Sequence, residues 1–221
     1  MMTERCVLGM LVDTSTSMEV MGYEDILVGC NDFLDGQRKN DDDLGSVSKF
    51  YLGTFATDYT MRYNGVSLNC MSKLVKQDIP LYGMTAMYDG INGFINDISN
   101  KLEEGDKLVI FILTDGHENS SKELVGESGR EYVFKKIKEK EDLGWKFYYA
   151  GANQDAMQVG GSLGINPDSC ISYDYSSGGV ANVMRSCSSA VTRNRTDGNS
   201  NFNEEERSCS MIPDLVSSDG E

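Results

Sequence analysis

Histidine is nearly absent from this chain: His117 is the only one among 221 residues. A metal centre built from several histidines is therefore excluded, and a Ser–His–Asp relay would have to be assembled around His117 alone. Basic residues are also scarce, 20 against 35 acids, for a formal charge of −15. Such a charge repels a nucleic-acid backbone and an anionic membrane surface. No apolar run reaches 18 residues, so no membrane span is expected. The N-terminus "MMTERCVLG" has no long apolar core of the kind an export signal carries, and the chain is expected to be cytoplasmic. Six cysteines at 6, 30, 70, 170, 187 and 209 form no C-x-x-C pair, which argues for reduced thiols and against a zinc site. Neither a G-x-x-x-x-G-K phosphate loop nor a G-x-S-x-G nucleophile elbow occurs.

Apolar residues make up 39% of the chain, enough for a sizeable core. They fall into alternating patterns. "CVLGMLV" (6–12), "KLVIFILT" (107–114) and "KFYYAGA" (146–152) read as buried strands, and "CISYDY" as a last strand. Helical spacing marks 21–38 through Ile26, Leu27, Cys30, Phe33 and Leu34. It marks the segment from Thr85 through Tyr88, Ile91, Phe94, Ile95, Ile98 and Leu102. A charged-faced helix is expected from Arg130 to Gly144, a short one after the 146–152 strand, and a final one over 178–195. Residues 47–55 and 59–63 read as an antiparallel pair turning near Thr57 and Asp58. Strands alternating with helices predict an α/β fold. Its sheet would be doubly wound and mostly parallel, with one antiparallel edge strand and helices on both faces. The domain is expected to occupy residues 1–195. Residues 196–221 carry seven acids against one base with no periodic apolar face, and read as an acidic, unstructured tail.

Two of the buried strands end in a carboxylate. The first runs into Asp13-Thr14-Ser15-Thr16-Ser17, and "KLVIFILT" ends at Asp115. In an extended loop Asp13, Ser15 and Ser17 alternate and so share one side. If the two strands are neighbours, their tips lie about 4.8 Å apart. Carboxylates that close, shielded from water, repel each other or share a proton unless a cation joins them. An all-oxygen donor set favours Mg²⁺, with Mn²⁺ and Ca²⁺ as alternatives, over zinc or copper.

"DTSTS" matches the D-x-S-x-S signature of the von Willebrand factor type A domain, the metal-ion-dependent adhesion site. "GMTAMYDGI" resembles that family's second site loop, with Thr85 in the position of its threonine. "IFILTDGHENSS" resembles the third, with Asp115 as its aspartate. The resemblance covers roughly residues 5–193. It implies that Ser15, Ser17 and Thr85 contact a divalent ion directly or through water, with Asp13 and Asp115 acting directly or from behind. It further implies a non-enzymatic, metal-dependent protein-binding module whose ion is completed by an Asp or Glu carboxylate of a protein partner. The alternative is an intracellular assembly or scaffold subunit with a structural metal. A metal-dependent phosphohydrolase fits less well: such enzymes use D-x-D, and Ser15 stands where the second acid is needed. His117 is expected at the rim of the site as a surface residue. "DDD" at 41–43 reads as a solvated loop without EF-hand spacing, and "KKIKEK" at 135–140 as the wet face of a helix.

Overall fold

A computed structural model describes residues 5–103, 105–152 and 154–212 of the chain. In chain order the elements are β1 (Arg5–Asp13), α1 (Tyr23–Leu44), β2 (Val47–Phe55), β3 (Tyr59–Ser67) and α2 (Met87–Ser99). They continue with β4 (Lys107–Thr114), α3 (Gly126–Asp142), β5 (Lys146–Ala152), α4 (Ala156–Ser162), β6 (Cys170–Tyr173), α5 (Ser177–Asp197) and α6 (Glu204–Ser210).

The six strands form one sheet in the order β3-β2-β1-β4-β5-β6. All neighbours are parallel except β2 and β3, which pair antiparallel at the edge. This is the expected doubly wound arrangement. Because β1 pairs with β2 on one side and β4 on the other, the strand order reverses at β1. In open sheets of this kind a crevice forms at the reversal, outside the carboxyl ends of the strands.

Alternation along β1 divides the core into two layers. Leu8, Met10 and Val12 face one way, where Cys30 and Phe33 of α1 and Met184 and Cys187 of α5 cover them. Val7 and Leu11 face the other way, toward Phe94 and Ile95 of α2 and Val133 and Ile137 of α3. A parallel strand buried on both faces must be apolar at every position, and that is why these strands read as unbroken apolar runs. Helices α1 and α5 pack closely at Gly29, where a Cβ would lie 3.0 Å from Met184 Cγ.

Several expectations change. The first helix runs on through Asp43, because nothing stops it before Gly45, which ends it in the left-handed conformation at φ 60°. The "DDD" stretch is therefore the last turn of α1. Asp41 is buried there, paired with the Arg195 guanidinium and accepting from Ser46 Oγ at 3.0 Å, Ser48 N at 3.0 Å and Ser48 Oγ at 2.7 Å. The second edge strand extends past residue 63 to Ser67.

The unstructured-tail reading does not hold for residues 196–212. Phe202 is buried, edge-on to Tyr148 at 5.5 Å between ring centroids. Asn203 and Glu206 cap α6 reciprocally, through Glu206 N to Asn203 Oδ1 at 2.8 Å and Asn203 N to Glu206 Oε2 at 2.9 Å. Arg193 grips the Glu206 carboxylate with two bonds of 2.6 and 2.8 Å. One aromatic, a capping box and polar bonds such as Arg207 to Cys170 O at 2.6 Å and Ser210 Oγ to Ser172 O at 2.7 Å dock a segment that lacks an apolar stripe of its own. Residues 213–221 lie outside the described residues. Cys6 and Cys30 are core residues, as expected. Among the described residues no helix is long and apolar enough to cross a membrane.

Candidate functional site

The crevice between β1 and β4 is where the two aspartates meet. Val12 pairs with Leu113, so the chain leaves both strands at the same level, with Asp13 on one side and Thr114-Asp115 on the other. Asp13 is fully buried. Its Oδ1 accepts from Ser15 N at 2.8 Å and its Oδ2 from Thr114 Oγ1 at 2.7 Å. Ser15 Oγ lies 3.1 Å from Ser17 Oγ, and Ser17 Oγ donates to Asp115 Oδ1 at 2.9 Å. The backbone N–H of Ser15 and the two serine hydroxyls therefore link the two strand ends.

Thr85 comes from a different part of the chain. Thr16 N and Thr16 Oγ1 both donate to the Gly83 carbonyl, each at 3.1 Å, and Tyr82 N donates to Thr14 O at 2.7 Å. Gly83 turns the chain here at φ 73°, a conformation that suits glycine. Two further bonds fix Thr85: its N–H donates to Asn119 Oδ1 at 2.9 Å, and its carbonyl accepts from Asn119 N at 3.0 Å. Its side chain and the Asp13 carboxylate flank the same glycine, the residue after Asp115. A Cβ on Gly116 would stand 3.2 Å from Thr85 Oγ1 and 3.9 Å from Asp13 Oδ2. Gly116 thus leaves a space that any larger residue would begin to fill. All five residues singled out from the sequence, Asp13, Ser15, Ser17, Thr85 and Asp115, lie in this one crevice.

Burial pushes the Asp13 carboxyl up to about 6. Neighbouring Asp115 adds to the rise, while the bonds from Thr114 and Ser15 oppose it. Burial also raises Asp115, against the bonds from Ser17 and Tyr175. No basic side chain among the described residues pairs with either carboxylate. Nor does any group of three or more His, Cys, Asp or Glu among the described residues offer a cation site. The candidate donors here are two carboxylates and three hydroxyls, a hard set suited to an ion that keeps part of its water.

Tyr175, which follows β6, was not legible from the sequence. Its hydroxyl lies 2.6 Å from Ser17 O and 3.0 Å from Asp115 Oδ2, one proton shared between two acceptors, from sixty residues beyond Asp115. Thr114 and Asn119 also serve the site; both lie in the quoted strand-end motif, but nothing in their spacing shows which atom each would hold. His117 is exposed beside the site.

No family model and no curated protein sequence matches the chain. Solved structures do match in fold. Proximal thread matrix protein 1 from the mussel byssus, solved with a zinc-occupied MIDAS motif, superposes with a TM-score of 0.59 at 14% identity. The match covers 86% of this chain and 46% of that one. The pilus adhesin SpaC from Lactobacillus rhamnosus GG, in its open conformation, gives 0.67 at 15%, over 88% and 31% of the two chains. A von Willebrand factor type A structure from Catenulispora acidiphila gives 0.57 at 13%, over 86% and 43%. The present chain spans less than half the length of each. At these identities the likeness establishes the fold, which is of the von Willebrand factor type A kind.

Proposed function

We propose that the crevice binds one divalent cation, Mg²⁺ or Mn²⁺, through Asp13, Ser15, Ser17, Thr85 and Asp115, and offers it to an Asp or Glu carboxylate of a protein partner. The observation that carries this reading is the fully buried Asp13 carboxylate, close to a second carboxylate and without a basic partner among the described residues. An unpaired buried charge is costly, and a metal ion removes that cost. Bound there, the ion supplies a concentrated positive charge with a coordination position left for an outside ligand. A mussel neighbour of the same fold carries zinc in its MIDAS motif. The oxygen-only set here is better suited to harder ions.

The surroundings support a protein partner. Val20, Tyr82 and Met84 are exposed on the two loops that Thr16 and Gly83 tie together. Exposed apolar side chains are a feature of interaction surfaces. The charge of −15 disfavours nucleic acid and anionic membrane. The function we propose is binding without catalysis, in the cytoplasm. A phosphoryl-transfer reading lacks a general acid at Ser15, whose hydroxyl is engaged with Ser17.

Thermal melting tests the metal. At about 100 times its dissociation constant an ion stabilises the fold by about 2.7 kcal/mol. The melting temperature should rise with Mg²⁺ or Mn²⁺, fall with EDTA, and become indifferent to both in Asp13→Ala. A wild-type curve unmoved by millimolar Mg²⁺, Mn²⁺ and EDTA would overturn the reading.

A further inference from the structure

We propose that Tyr175 is a positioning residue of this site: its hydroxyl holds the outer oxygen of Asp115, and so sets how tightly the crevice binds a divalent ion. This role for Tyr175 rests on the cation reading above. The two carboxylates are held in matching ways. Each has one oxygen bonded within the run of donors, Asp13 Oδ1 to Ser15 N and Asp115 Oδ1 to Ser17 Oγ. Each has its other oxygen held by a hydroxyl from outside the five candidate donors, Thr114 for Asp13 and Tyr175 for Asp115.

The choice of hydroxyls matters. A lysine or arginine in either place would neutralise the carboxylate and remove its pull on a cation. A neutral donor fixes the rotation of the carboxylate and leaves its charge intact. Partners that orient metal ligands in this way raise affinity by removing alternative rotamers before the ion arrives.

The placement of Tyr175 goes beyond what packing alone requires. Its ring rests against the core layer shared by β1, α1 and α5, a role that phenylalanine would fill equally well. The hydroxyl, however, reaches two acceptors, the Asp115 carboxylate and the Ser17 carbonyl, on two separate site loops. It therefore ties the loop after β1 to the loop after β4. Its own position is set from both sides: Asp174 N donates to Ser210 O at 3.0 Å, and Ser176 caps α5 by accepting from Gly179 N at 3.2 Å. The segment between β6 and α5 thus forms a fourth wall of the site.

The test is Mn²⁺ titration of the full chain by calorimetry, with wild type and Tyr175→Phe compared, alongside melting curves in EDTA. The Phe variant should bind Mn²⁺ about 10- to 100-fold more weakly, while its melting temperature in EDTA stays close to that of wild type. Tyr175→His, which carries a ring N–H on a smaller side chain, should recover part of the affinity and gives a second reading should the Phe variant fail to fold. If wild type binds Mn²⁺ and Tyr175→Phe binds it within twofold, Tyr175 does not position Asp115. Lowered melting in EDTA with unchanged Mn²⁺ affinity would assign the residue to packing alone and overturn the positioning role equally. A wild type that binds no Mn²⁺ would overturn the cation reading itself, and the role of Tyr175 with it.

Discussion

Thr114 Oγ1 donates to Asp13 Oδ2 at 2.7 Å, a hydrogen bond between neighbouring strands in which both side chains are fully buried. It limits the cost of burying Asp13 without removing it, since the carboxyl still sits at about 6 against an ordinary 3.8. A carboxyl whose folded value lies above its unfolded one stabilises the fold below the unfolded value, and that contribution is lost as pH rises through the folded value. In EDTA, wild type should therefore lose stability relative to Asp13→Asn between pH 4 and pH 7. The loss should be on the order of 3 kcal/mol, from 1.36 kcal/mol per unit. Urea denaturation of both proteins across that range measures the difference. Parallel pH profiles would mean that Asp13 is ionised at no cost. Saturating Mg²⁺ should abolish the effect, because the ion favours the ionised carboxylate.

Thr85→Ala tests whether the second loop contributes a ligand. The backbone of Thr85 is held by Asn119, so the loop should keep its shape when the hydroxyl is removed. We expect an unchanged fold by circular dichroism and Mn²⁺ affinity lowered about tenfold or more. A partner found by pull-down should lose binding in EDTA, and also when its contacting acid is changed to the amide. The two losses should not add, because both remove the same contact. Equal capture with Mg²⁺ and with EDTA would place the partner surface elsewhere.

At the opposite end of the sheet, Arg195 and Asp41 form an ion pair with both side chains almost wholly buried. Removing one partner leaves an uncompensated buried charge, which costs about 3–5 kcal/mol. Arg195→Met should lower stability in urea by that amount without changing Mn²⁺ affinity, since the pair lies at the other end of β1. A loss under about 1 kcal/mol, the range of an exposed pair, would show that water or a neighbour takes over from Arg195.

The segment after α5 should be required for full stability. Phe202→Ala should cost about 3–5 kcal/mol, as truncation of buried aromatics does, and a chain ended at residue 197 should melt at a clearly lower temperature. A truncated chain that melts with wild type would show that residues 198–212 add nothing to the fold.

Much of this protein is legible in its sequence, for local reasons. Parallel strands buried on both faces demand continuous apolar runs, and the helices over them demand a 3.6-residue period, so Val7–Val12, Leu108–Leu113 and Ile91–Ile98 announce their states. Asp13, Ser15 and Ser17 are legible as a group from their spacing after a buried strand, but extended alternation stops at Ser15, because Thr16–Met21 forms a 3-10 turn that carries Ser17. The register of β1 on β4 is not local. Only the sheet brings Asp115 to the level of Asp13, and only long-range ties, from Thr16 to Gly83 and from Asn119 to Thr85, carry Thr85 in beside them. Asp41 reads as solvated along the chain because its partner Arg195 lies 154 residues away. Tyr175 carries no signal because one phenol after a strand looks like any other until the fold sets it against Asp115. The segment at 198–212 reads as unstructured because one buried ring, a capping box and polar bonds to distant residues replace a stripe. Periodicity and loop spacing are set by backbone geometry and can be read along the chain. Long-range pairing depends on where distant segments meet, and only the tertiary structure decides that.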